Sequence, residues 1–162
     1  MKKPIILSLA AAVITLILVS TGCKKTGNPS ESWIWKGNTY TSTSCNVSSD
    51  SDALYGRNTS LTVQNGSNTL NVIFFGSLPT QSCIDTVAAW GATGDVNMIT
   101  ISLASGGATY QSTGGNGTNQ IVNVTVKNNQ VTVSTPSGNP AELLNIASGS
   151  VDSSGVSFTV VQ

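Results

Sequence analysis

From Ser32 onward, apolar and polar residues alternate over short runs separated by Gly, Asn and Ser. A period of two sends successive side chains to opposite faces of a strand. In residues 122–127, Val122, Val124 and Val126 share one face, and Asn123, Thr125 and Lys127 share the other. Val131 and Val133 continue the pattern, and the intervening Asn128-Asn129 suits the positive φ angles of a tight hairpin. Residues 60–64 and 69–75 flank Asn65-Gly66-Ser67-Asn68, a second hairpin signal. Residues 32–35 and 38–45 flank Lys36-Gly37, a third. Further strands are expected within 85–90, 97–104, 108–112, 141–147 and 156–161, while 48–56 reads as a polar loop. Residues 140–147 have room for one helical turn, too short to stand alone. The expected fold is all-β, an antiparallel sandwich or barrel of roughly nine or ten short strands with one packed and one wet face.

The chain before Ser32 has a different pattern. Met1-Lys2-Lys3 precedes an apolar run from Pro4 to Val19, the layout of a secretory signal peptide. The run is about 16 residues, against roughly 20 for a helix that spans a bilayer. Ser20-Thr21-Gly22-Cys23 resembles a bacterial lipobox. Gly22 and Cys23 match its two most constrained positions, and Ser20 replaces the usual aliphatic residue. The resemblance implies a diacylglyceryl group on Cys23, cleavage between Gly22 and Cys23, and acylation of the new amine. Two or more acyl chains are enough for stable anchoring. The alternative is an ordinary signal peptide that leaves Cys23 as a thiol. The expected organisation is a signal peptide at 1–22, a lipidated cysteine and tether at 23–32, and one β-domain at 33–162. The polar tether spans roughly 17 Å.

Charge narrows the choice of function. The chain has seven basic and seven acidic residues and no histidine. Loss of Lys2 and Lys3 leaves five basic residues, a net charge of about −2. So sparse a basic set argues against a nucleic-acid surface. Without histidine there is no Ser-His-Asp or Cys-His pair. No two acids are marked as partners, since Asp50, Asp52, Asp85, Asp95, Glu142 and Asp152 fall mainly in turn-like segments. Asp50 and Asp52 alone fall short of a calcium loop. No cofactor, metal site or catalytic residue is expected.

Three cysteines are present. With Cys23 lipidated, Cys45 and Cys83 remain as a pair, and export makes a disulfide between them the expectation. It would close a loop of roughly 38 residues, for about 4 kcal/mol at most. The alternative is two separate cysteines acting as small apolar residues.

Two further features are candidates for function. Trp33 and Trp35 share one face of a strand by their spacing, and Tyr40 and Trp90 are further large rings. On an exposed sheet face such rings stack on sugars; packed inward, Trp33 and Trp35 cap the core. Asp85-Thr86-Val87 resembles the Asp-Ser/Thr-aliphatic acceptor pattern for O-glycosylation in Bacteroidota, with Thr86 as acceptor.

Taken together, residues 33–45, 70–79, 108–117 and 122–134 resemble the small single-domain lipoproteins of Bacteroidota. That resemblance implies a β-rich exported domain with no established biochemical activity. Lys24 and Lys25 depart from the acidic residues associated with surface display in that phylum. The expectation is therefore an outer-membrane lipoprotein, lipid-anchored and periplasm-facing, with a non-catalytic domain. Its role is structural or in protein interaction, with an envelope protein as partner; the alternative is glycan binding through an aromatic face.

Overall fold

The computed structural model describes residues 21–22, 31–52, 56–90, 97–114 and 120–162. Thirteen strands form one continuous sheet. In chain order they are β1 (Thr21–Gly22), β2 (Ser32–Trp35), β3 (Asn38–Thr41), β4 (Ser44–Asp52), β5 (Gly56–Asn65), β6 (Asn68–Phe75) and β7 (Cys83–Val87). There follow β8 (Met98–Ser105), β9 (Ala108–Ser112), β10 (Ile121–Lys127), β11 (Gln130–Ser134), β12 (Ala141–Asn145) and β13 (Val151–Val161). The all-β expectation holds.

The turns form where the sequence places residues that tolerate positive φ. Asn128 and Asn129 sit at φ 52° and 60° between β10 and β11, and Lys36 and Gly37 at 50° and 76° between β2 and β3. Two consecutive residues at positive φ make the turn whose twist matches a hairpin. Short loops then fix the register, with Val126 opposite Val131 and Trp35 opposite Asn38.

Two strands branch the sheet. Ile99 of β8 pairs with Phe74 of β6 on one edge and Val87 of β7 on the other; further along, Ser102 pairs with Asn71 and with Gln111 of β9. β13 does the same. Val156 pairs with Trp35 of β2 and Ala141 of β12, and Thr159 with Ser32 and with Ser134 of β11. The branches β7–β10–β11 and β9–β12 both run from β8 to β13, so the sheet closes a ring. Two arms extend from it, β6–β5–β4–β1 from β8 and β2–β3 from β13. All pairs are antiparallel except β7–β8, which is parallel.

Period-two faces build the interior. Leu61 and Val63 on β5, Leu70, Val72 and Phe74 on β6, Ile99, Ile101 and Leu103 on β8, and Val156, Phe158 and Val160 on β13 belong to one core. Trp33 is fully buried and Trp35 nearly so, with Ile34 between them turned to solvent. At ~25 cal/mol per Å², burying two indoles is among the largest single contributions to such a core.

Several elements differ from the sequence expectation. Residues 48–52 form the second half of β4, where an all-polar composition pointed to a loop; five register pairs with β5 hold them. β13 begins at Val151 rather than 156, because Gly155, at φ 58°, lets the strand pass a register shift between Ala141 and Leu143. Residues 141–145 form β12, within the strand expected at 141–147. The signal peptide, apart from Thr21–Gly22, and Cys23 with the tether to residue 30 lie outside the described residues. Thr21 and Gly22 pair with Val47 and Asn46 on the edge of β4.

Candidate ligand-binding cleft at Trp90

Beyond Val87 the chain leaves β7 and is pinned strongly before residue 91. Ala88 donates its N–H to the Ile99 carbonyl at 2.7 Å. The buried Ser112 hydroxyl donates to the Ala88 carbonyl at 2.6 Å and accepts from the Ile101 N–H at 3.1 Å. Ala89 bridges to Thr113, and the Trp90 N–H donates to the Ser112 carbonyl at 2.9 Å. Gly114, at φ 77°, passes so close that a Cβ there would sit 2.6 Å from the Ala89 nitrogen. Only glycine fits that approach.

The result is an indole held by its backbone and left 42% exposed. It borders a cleft of about 310 Å³ lined with Gln111, Ser112, Thr113, Leu144 and Val151. β9 and β12 run side by side here, with Gln111 opposite Leu144, and Val151 of β13 pairs with Leu144 on its other edge. Val151 is itself 44% exposed. The lining residues carry no charge. An exposed indole, aliphatic neighbours, an amide and hydroxyls suit a ligand with a flat C–H face and polar substituents.

The other expected aromatics are not available to a ligand. Trp33 is buried beneath Tyr40, with ring centroids 5.2 Å apart and planes 13° from parallel. Tyr40 is half-buried by the same stack. Trp35 meets the Tyr110 ring edge-on at 4.8 Å. Lys36 covers both rings, its Nζ 5.3 Å and 5.2 Å from their centroids, and pairs with Asp152 at 3.1 Å. Hydrogen bonds to Asp152 and Tyr110 raise its pKa. The Ser154 hydroxyl holds Asp152 below the usual carboxylate range, with a further contribution from Lys36, against the opposing effect of burial. This group clamps the β2–β3 turn onto the core. The sheet face of Trp33, Trp35 and Tyr40 is therefore interior, which removes it as a sugar platform. Trp90 is the one ring of the expected four that stands open.

The Cys45–Cys83 disulfide is also corrected. Cys83 is a free thiol. Its strand position gives the reason: it faces inward on β7 opposite Val124, whereas Cys45 is on β4 opposite Val63, with its Sγ 3.6 Å from the Val161 carbonyl oxygen. Cys83 donates instead to Asp85 Oδ1 at 3.3 Å. Burial, and then the neighbouring carboxylate, push the thiol up to about 11.

Asp85 faces the interior of β7 rather than lying in a turn. It is 1% exposed, Oδ2 has no hydrogen-bond partner, and burial raises its pKa above the ordinary 3.8. Thr86, the expected glycan acceptor, is half-buried in the same strand, paired with Ile121 on one edge and Met98 on the other. Asp50 sits in β4 opposite Asn58. Cys23 and Asp95 lie outside the described residues. Among the described residues, no group of three His, Cys, Asp or Glu side chains could hold a metal ion, and no helix is long and apolar enough to cross a membrane. No protein-family model, curated protein or solved structure matches the chain.

Proposed function

We propose that this chain is a non-catalytic binding protein of the cell envelope, anchored by lipid on Cys23, and that it takes a neutral saccharide at the Trp90 cleft. One observation carries the ligand reading: an indole fixed by its own backbone and left 42% exposed beside an uncharged cleft. A large ring costs apolar exposure when free and recovers it when a ligand covers it. The lipid anchor rests on the apolar run and Gly22-Cys23, and the periplasm-facing outer-membrane address on Lys24 and Lys25. Cleavage at Gly22 would take β1 with it and leave β4 as the end of the sheet.

The same patch, with exposed Trp90 and Val151 together, also supports docking of an envelope protein. A glycan array followed by calorimetry separates the two. The expected result is saturable binding of neutral oligosaccharides, lost in Trp90→Ala and retained in Tyr40→Phe. Binding that survives Trp90→Ala would end the cleft assignment. Absence of any glycan hit, with an envelope protein captured by the wild type and not by Trp90→Ala, would establish the protein-docking reading instead.

A further inference from the structure

A second cavity, of about 390 Å³, opens at another place in the fold, where β4 and β5 meet the β10–β11 hairpin and the 77–80 loop. Val47 and Val131 form its buried wall, and Val126, Leu78 and Pro79 extend it. The Ser49 and Thr59 hydroxyls in this wall are already engaged, with each other at 3.3 Å and, for Thr59, with the Gly76 carbonyl at 2.7 Å.

Arg57 is the single charged side chain on the lining. It is exposed and faces Ser51 across the β4–β5 ladder, while Asp50 and Asp52 lie one residue to either side of Ser51. Alternation along a strand sends Asp50 to the opposite face. Among the described residues the one ion pair is Lys36–Asp152, and no described carboxylate pairs with Arg57. A guanidinium at the rim of a cavity with one apolar wall fits an anion with an apolar tail, because its planar fork takes a carboxylate in two parallel hydrogen bonds. The volume is that of a small-ligand site.

We infer that this cavity binds a medium-chain carboxylate, its head on Arg57 and its tail along Val47, Val126 and Val131. The site is separate from the Trp90 cleft and does not depend on the saccharide reading.

The test titrates the full-length chain in lipid nanodiscs with octanoate by calorimetry, with octan-1-ol and acetate as controls. Partition into the nanodisc is non-saturable and equal in all variants. The expected result is one saturable site for octanoate, weakened about fivefold in Arg57→Gln, the scale of one exposed ionic contact. Octanol should bind Arg57→Gln and wild type alike, and acetate should not saturate. Thr80→Trp, an exposed loop position at the cavity wall, should abolish octanoate binding. Both variants replace exposed side chains, and their urea midpoints should match wild type. No saturable octanoate binding overturns the proposal, as does equal affinity in Arg57→Gln or undiminished binding in Thr80→Trp.

Discussion

Gly155 and Gly106 provide a matched pair for testing how the β12–β13 junction is held. Both sit at nearly the same backbone angle, φ 58° and 60°. A Cβ at Gly106 would meet nothing within 4 Å, while one at Gly155 would lie 2.8 Å from the Ala141 oxygen and 2.9 Å from Pro140 Cβ. The left-handed conformation costs an L-residue about 1–2 kcal/mol. Lower unfolded-state entropy returns about 0.4–1 kcal/mol of that. Gly106→Ala should therefore lose about 1 kcal/mol. Gly155→Ala carries the same backbone cost plus about 1–3 kcal/mol for overlap with atoms that cannot rotate away, a total of about 2–4 kcal/mol. Urea unfolding, followed by the fluorescence of buried Trp33 and Trp35, measures both, and an unchanged m-value confirms a native-state effect. Equal losses in the two variants would refute the argument that close approach, rather than backbone angle alone, requires glycine at 155.

Gly114→Ala should displace Ala89 and with it Trp90, reducing saccharide affinity at least tenfold while Tyr40→Phe leaves it unchanged; calorimetry reads both. Asp85 titrates higher in the folded protein than unfolded, so the folded state binds its proton more tightly and stability falls as pH rises from the ordinary 3.8 through the folded value. Asp85→Asn should remove that slope and be at least as stable as wild type at pH 7, as measured by urea midpoints from pH 3 to 7. With its pKa near 11, Cys83 should react with iodoacetamide about a hundredfold more slowly at pH 8 in the folded chain than after unfolding, as peptide mass mapping would show.

The parts of the fold legible in the sequence were those where one strand states its own face. β10 and β11 alternate cleanly, and Asn128-Asn129 announces their turn. The second half of β4 has no such signal, because Ser48 to Asp52 are all polar and owe their strand geometry to pairing with β5. Branching at β8 and β13 is invisible locally, since one residue such as Ile99 must find two partners far apart in sequence. The site was legible in part. Trp90 could be named as a large ring but not told from Trp33 and Trp35, because exposure depends on Ser112 and Gly114 capturing the loop at 88–90. Arg57 was missed as a site residue because its neighbours in the cavity come from four separate segments.

The ring described above sets an order on when the domain can exist. Its closure needs β13, the latest described strand in chain order, which pairs with β2, β11 and β12 at once. A chain that emerges from its N-terminus therefore carries β2, with Trp33 and Trp35, for more than a hundred residues before their partner strand appears. At ~5–20 residues per second, that is several seconds of exposed aromatic surface. The arm β4–β5–β6–β8, built from hairpins and near neighbours, can assemble during that time, but the two indoles cannot be fully buried until β13 has been made. Deletion of Val160 and Val161 would remove their pairs with β11, so β13 acts as a checkpoint on closure of the ring.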